Sequence, residues 1–353
     1  MARTAASCPA ARSRRNGGSR RVAVWGCGVF DACMPNLRAR FTPLWLAILC
    51  AGCTVPAAPE SPRAPSLELF VLGIAQDGGV PHFGCEKPCC ASARASGKEL
   101  FPACLGIVAR PSSELLLVEA TPRVEAQVAM LHQLAETSAR GRRPVDAVLL
   151  THAHIGHYTG LMQFGREVMG TRSMPVWAMP RMRDFLTTNG PWSQLVRLEQ
   201  IALQPLTADS IVTLGDSLQV TPFRVPHRDE YSETVGFRIM TSRGAVVFLP
   251  DVDKWERWDR RIEDAIAGTT AAYLDGTFFD ASELPGRDMR EIPHPFIVES
   301  LARFASGSAT DRARVRFIHL NHTNRAAIPE SEEQRRITRA GSRVAVIGER
   351  VTL

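Results

Sequence analysis

Three imidazoles crowd into Thr151-His152-Ala153-His154-Ile155-Gly156-His157, directly after the apolar run Val145-Asp146-Ala147-Val148-Leu149-Leu150. In continued strand geometry His152 and His154 project to the same side, and His157 comes round on the following turn. This is a display of metal ligands at the end of a buried strand. Its natural chemistry is hydrolysis: a bound divalent ion brings the pKa of water to about 7 and polarises the electrophile. Such a site needs further imidazoles and a carboxylate to bridge two ions. The chain offers them at other strand ends: His227 in Val225-Pro226-His227, Asp251 in Phe248-Leu249-Pro250-Asp251, and His319 in Phe317-Ile318-His319. His294, in Ile292-Pro293-His294-Pro295, stands at an expected helix start. It is either a surface histidine or the acid that protonates a leaving group.

A second cluster lies upstream. Cys85, Cys89 and Cys90 fall within six residues after Gly78-Gly79-Val80-Pro81-His82-Phe83-Gly84. Three thiols this close suit a tetrahedral thiolate site, with a disulfide as the alternative; a vicinal Cys89–Cys90 bridge would be strained. Cys104 reads as a core thiol.

The elements that must position these groups alternate along the chain. Runs of four to seven β-branched or leucine-rich residues predict strands over Leu67–Gly73, Cys104–Val108, Glu114–Glu119, Ala147–His152, Val176–Ala178, Leu218–Phe223, Val235–Thr241, Ala245–Leu249, Ala271–Leu274, Val315–Leu320 and Val344–Ile347. Helical spacing fits Val124–Thr137, Tyr158–Met169, Arg181–Thr188, Lys254–Ala267, Pro295–Phe304 and Glu330–Ala340, with Asp251-Val252-Asp253 as acidic capping residues before Lys254. Intermixed strands and helices predict two sheets sandwiched by helices in a single α/β domain over 67–353. No internal repeat is strong enough to use.

The formal charge of +6 belongs to a leader rather than to that domain. Residues 1–40 carry eight arginines against Asp31 alone, +8 − 1 = +7, so the rest sums to about −1. No basic face is left for nucleic acid. Residues 1–33 read as a disordered or mis-assigned extension before Met34. Residues 34–53 have the build of a secretory signal: basic Arg38 and Arg40, a short apolar stretch Phe41–Leu49, then Cys50-Ala51-Gly52-Cys53. The small pair before Cys53 resembles a bacterial lipobox, which implies acylation of Cys53 after export. Four prolines in Thr54–Pro65 make residues 54–66 an extended tether. The expectation is a lipoprotein on the periplasmic face of a bacterial membrane, the outer one favoured, held by a lipid anchor at Cys53.

The histidine segment resembles the His-x-His-x-Asp-His motif of the metallo-β-lactamase superfamily, and the segments around His227, Asp251 and His319 follow that superfamily's order and spacing. The resemblance implies the αββα sandwich. It also implies one ion on His152, His154 and His227, and a second on His157 and His319, with Asp251 bridging. The departure is Gly156, which stands where the family carries a carboxylate. Either the second ion is held by His157, Asp251 and His319 with water in the gap, or its site is empty; Asp229 and Asp253 are the nearby carboxylates in sequence that could substitute.

Within the superfamily, Leu72-Gly73-Ile74-Ala75-Gln76-Asp77-Gly78-Gly79 and the cysteine loop, with Ala178-Met179-Pro180-Arg181 and Leu274-Asp275-Gly276-Thr277-Phe278, resemble the pyrroloquinoline-quinone biosynthesis protein B group and the carbon–phosphorus-lyase-pathway phosphodiesterase. That resemblance implies one structural Zn²⁺ on Cys85, Cys89, Cys90 and His322, the histidine three residues beyond His319. The cysteine spacing departs from the family's Cys-x-Cys-x-x-Cys. At the active site it implies one or two divalent ions, Zn²⁺, Mn²⁺ or Fe²⁺. The expected function is hydrolysis of a small, anionic phosphodiester or other ester. Iron-dependent oxidation related to quinone-cofactor assembly, and a non-catalytic metal-binding role, are the alternatives. Asp275 is expected to orient a ligand or to serve a turn. Arg181, Arg183, Arg228 and Lys254 are surface cations that could meet an anion.

Overall fold

A computed structural model describes residues 66–138, 141–215 and 218–353. The expectations for the leader, the signal, the tether and Cys53 lie outside these residues. No described helix is long and apolar enough to cross a membrane.

Two seven-stranded sheets form the frame. The first holds β1 (Ser66–Gly73), β2 (Cys104–Arg110), β3 (Glu114–Val118), β4 (Ala147–Leu149), β5 (Met174–Ala178) and β6 (Ile201–Pro205) in that spatial order. The second holds β7 (Val212–Leu214), β8 (Leu218–Arg224), β9 (Val235–Thr241), β10 (Gly244–Leu249), β11 (Ala271–Asp275), β12 (Val315–Ile318) and β13 (Arg343–Val344). The last strand, β14 (Arg350–Thr352), returns to pair with β1. In each half an antiparallel meander is followed by parallel strands with crossovers. The internal duplication that is too weak to see in the sequence is therefore plain in the strand order.

Side-chain alternation builds the layers. Leu67, Leu69 and Val71 of β1 point into the apolar core shared with β8–β12, while Phe70 and Leu72 join a separate core beneath the helix Val124–Leu134. Near-continuous apolar runs such as Ala245–Leu249 follow from burial on both faces.

Several expected boundaries shift, and the shifts place the chemistry. The strands expected to run to His152 and Leu320 stop at Leu149 and Ile318, so the histidines sit on loops just beyond strand ends. His319 has φ +63°, which no strand accommodates. The helix expected over Lys254–Ala267 breaks into Trp255–Arg257 and Ile262–Ile266. Asp251 and Asp253 do not cap it, because both are drawn to histidines. The Tyr158–Met169 helix becomes the single turn Ile155–Tyr158 and a 3₁₀ stretch, Thr159–Phe164. Strands β6, β7 and β14 and the helix Pro88–Ser96 are additional; the helix begins at Pro88, whose fixed φ suits the first turn.

Candidate metal centre

The C-terminal ends of β4, β10, β11 and β12 meet along one edge of the sandwich. Six of the chain's nine histidines gather there: His152, His154, His157, His227, His294 and His319. The loop after β4 is pinned from the other half, where Ala153 N donates to Ser232 Oγ at 2.8 Å and Val235 N to Thr151 O at 3.2 Å. His152 Nε2 and His154 Nδ1 thereby come within 2.9 Å. His152, His154, His227 and Asp251 form one set of ligand atoms within 4.8 Å of one another, and Asp77, His157 and His319 form another.

Asp251 lies between the two sets. Its Oδ2 is 3.2 Å from His152 Nε2, 3.1 Å from His157 Nε2 and 3.5 Å from His319 Nε2, while Oδ1 is 3.8 Å from His227 Nε2. Two ligands about 2.1 Å from one ion at a tetrahedral angle stand about 3.4 Å apart, so these separations match the edges of a coordination polyhedron. Hydrogen bonding confirms the fit. Asp77 Oδ1, both nitrogens of His157, His227 Nε2, Asp251 Oδ1 and His319 Nε2 are buried without a hydrogen-bond partner. Each orphaned atom costs about 1–3 kcal/mol. His157 Nδ1 turns toward Glu119, and the other five face one space, which makes sense if cations complete them.

Outer partners orient the rings. His152 Nδ1 lies 2.9 Å from Thr151 Oγ1, which donates to the fully buried Glu119, and Glu119 Oε1 lies 3.4 Å from His157 Nδ1. His227 Nδ1 is 3.2 Å from Asp253, itself paired with Arg257. His319 Nδ1 is 3.0 Å from Thr277 Oγ1, which donates to Asp275 at 2.7 Å. Such contacts set tautomer and ring angle. Glu119 and His319 both have positive φ (82° and 63°), strain of about 1–3 kcal/mol each that the surrounding bonds must hold.

Protonation follows surroundings. Burial and the charge of His157 push His152 well below the ordinary histidine range, so it stays neutral as a ligand should. Burial works to raise Asp251 and Asp77, but neighbouring imidazoles outweigh it and hold both carboxyls well below the carboxylate range. Burial opposes the charged form of His294 too, yet Asp275 and then Asp251 lift it to about 9.

His294 is 6 % exposed, which removes the surface reading. Its Nδ1 is 2.8 Å from Asp275 Oδ2 and 3.4 Å from Asp251 Oδ1, and its ring centre is 5.4 Å from that of His227. Asp275 is thus an orienting carboxylate: it also accepts from Val252 N and from the backbone and hydroxyl of Thr277.

Asp77 is the residue that sequence reasoning missed. Its Oδ1 stands 3.3 Å from His157 Nε2 and 3.9 Å from His319 Nε2. The carboxylates expected as substitutes are occupied elsewhere: Asp229 by Arg181, and Asp253 by His227 and Arg257. A usable signal was present, since Asp77 is an acidic residue between the end of a buried strand and a Gly-Gly turn. Among the surface cations, Arg181 is bound to Asp229, Arg228 is 3.9 Å from Glu230, and Lys254 bonds Glu299 at 2.6 Å while lying over the Phe296 ring. Glu230 in turn reaches His154 Nε2 at 3.2 Å.

At the cysteine loop the thiols of Cys85, Cys89 and Cys90 come within 4.8 Å of one another, and none is in a disulfide. His322 lies outside that group of three. Its ring stacks on His82 at 4.4 Å, and its Nδ1 is buried without a partner. Cys104 is fully buried in the core, as expected.

Comparison with known proteins agrees with this fold. The family model described as "Beta-lactamase superfamily domain" matches residues 115–320. Coenzyme PQQ synthesis protein B of Ruegeria pomeroyi is 26 % identical over 309 residues, covering 81 % of this chain and all of the relative, and its Xanthomonas oryzae counterpart is equally similar over 308. The crystal structure of Zn²⁺-bound PqqB from Methylobacterium extorquens superposes with a TM-score of 0.68 at 23 % identity, covering 81 % of this chain and all of that one. A diphosphatase of the PhnP family gives 0.57 at 18 %, covering 82 % of this chain and 98 % of its own. With more than half of its length matched by the family model, the chain belongs to the β-lactamase superfamily, and it has the metallo-β-lactamase fold.

Proposed function

We propose that the protein is a metal-dependent hydrolase of a small anionic ester, a phosphodiester foremost. The observation that supports this most directly is Asp251, a buried carboxylate placed between two sets of ligand atoms with His294 alongside. His152, His154 and His227 would hold one ion, His157 and His319 would help hold the other, and Asp251 would bridge. When bound, such ions supply a water of lowered pKa and a Lewis acid for the ester oxygen. Asp251 is the one carboxylate among those ligands, and Glu119, Asp253 and Asp275 are turned to the histidines, so the ions would present an excess of positive charge to an anionic substrate.

The chain's own residues do the rest. Asp275 holds His294 by Nδ1, which leaves Nε2 as the nitrogen that passes a proton to the departing oxygen. Asp253 and Thr277 keep the rings of His227 and His319 from turning. The test is turnover of bis(p-nitrophenyl) phosphate and p-nitrophenyl acetate by the full chain loaded with Zn²⁺, Mn²⁺ or Fe²⁺. Hydrolysis with at least one metal is expected, and none with any metal would remove the reading. The names of the sequence relatives support a second one, a part in quinone-cofactor synthesis, for which iron-dependent oxidation is the chemistry to test; oxygen uptake that requires Fe²⁺ would favour it, and zinc-only occupancy would exclude it.

The three clustered thiols suit a structural zinc. His322, the fourth ligand that the resemblance implies, has an orphaned Nδ1 but lies outside their group and would have to close on it to complete the site. Export as a lipoprotein is proposed from the leader sequence alone: palmitate labelling that disappears in Cys53→Ala is expected, and labelling that persists would refute it.

A further inference from the structure

The geometry points to Asp77 as a ligand of the second ion, a carboxylate relocated from the motif position that Gly156 vacates. A Cβ built on Gly156 would lie 2.1 Å from Asp77 Oδ1, 2.4 Å from its Cα and 2.8 Å from its Cβ. The space of the missing side chain is therefore filled by the backbone and side chain of Asp77. The two positions exclude each other: with Asp77 in place, residue 156 has no room for any side chain.

The loop that carries Asp77 is fixed rather than incidental. Ala75 bridges both Pro102 and Leu320, Leu320 N donates to Ile74 O at 2.8 Å, and Gln76 N donates to Leu320 O at 2.8 Å. That ties the residue two before Asp77 to the residue after His319. Gly79 N then closes a turn on Gln76 O at 2.7 Å, with Gly79 at φ +68°, a conformation that favours glycine. The side chain is one-third exposed, yet Oδ1 is buried, without a hydrogen bond, and aimed between His157 and His319. A carboxylate oxygen that needed only solvation would not be turned inward without a partner.

This rests on the metal-centre reading above, but its readout is metal bound rather than ester cleaved, so it stands or falls separately from the reaction. Full-length protein is loaded with Zn²⁺ or Mn²⁺, freed of excess metal, and its metal counted beside folding by circular dichroism. Asp77→Ala is expected to hold one equivalent fewer than the wild type, and Asp77→Asn to weaken one class of site by at least about tenfold, the scale seen even for outer partners of ligands. Gly156→Ala, whose Cβ must displace Asp77, is expected to lose the same equivalent. An Asp77→Ala protein with undiminished metal, or a folded Asp77→Asn protein that binds both ions as tightly as the wild type, would overturn the assignment. If Asp77→Ala fails to fold, Asp77→Asn decides the question by the same titration.

Discussion

The two ligand sets that share Asp251 are built differently. One takes His152 and His154 from three consecutive residues and adds His227 from the loop after β8. The other takes Asp77, His157 and His319 from three segments, one each from the loop after β1, the turn after β4 and the end of β12. The first set is preassembled by local chain geometry, and only one long-range closure is needed. The second exists only when β1, β4 and β12 are all docked, and it relies on a partly exposed aspartate and on His319 in a strained conformation. Local ligands lose little entropy on assembling, whereas each distant one adds a loop-closure cost. The second ion should therefore bind more weakly and leave first.

The most severe test removes what the sets share. Asp251→Ala should strip both active-site ions and lower hydrolysis by more than about a thousandfold, the upper scale for losing one stabilising group. Retention of one ion would mean that Asp251 serves only one set. His294→Gln should cost about 10²–10⁴ in kcat with metal content unchanged, and least for esters with good leaving groups. A loss equal for all leaving groups would make His294 a positioning residue instead.

Finer variants separate the sets. Asp253→Asn should weaken only the ion on His227, and Thr277→Val only the ion on His319, each by about 10–100-fold in titration against a chromophoric chelator. Equal weakening of both ions by either variant would dissolve the distinction. The smallest effect concerns acid. Ligand imidazoles must be neutral, so lowering the pH sets protons against metal. His152 and His154 are held below the ordinary histidine range and meet little proton competition there, whereas His157, against its burial, is lifted well above that range by Asp251, Asp77 and Glu119. The set that contains His157 should therefore lose affinity more steeply between pH 7 and 5; parallel slopes would argue against these memberships.

The legible part of the site was the part that chain chemistry writes locally. His152, His154 and His157 announce themselves by spacing, and His227, Asp251 and His319 by position beyond apolar strands. His294 was visible as a histidine but not as a buried one, because burial depends on Asp275 and Phe278 packing around it. The helix over Lys254–Ala267 was misjudged for a related reason: Asp251 and Asp253 look like caps in one dimension and face histidines in three. Strands β6 and β7 were missed because their exposed and half-buried faces leave little apolar pattern.

By itself the sequence determined the ligand types, the alternation of strands and helices, and the absence of a carboxylate at position 156. Only the tertiary structure decided what that absence means. The glycine is the space into which Asp77 fits, 79 residues away in the chain, and such a substitution is written in the contact between two loops rather than in the spacing of either.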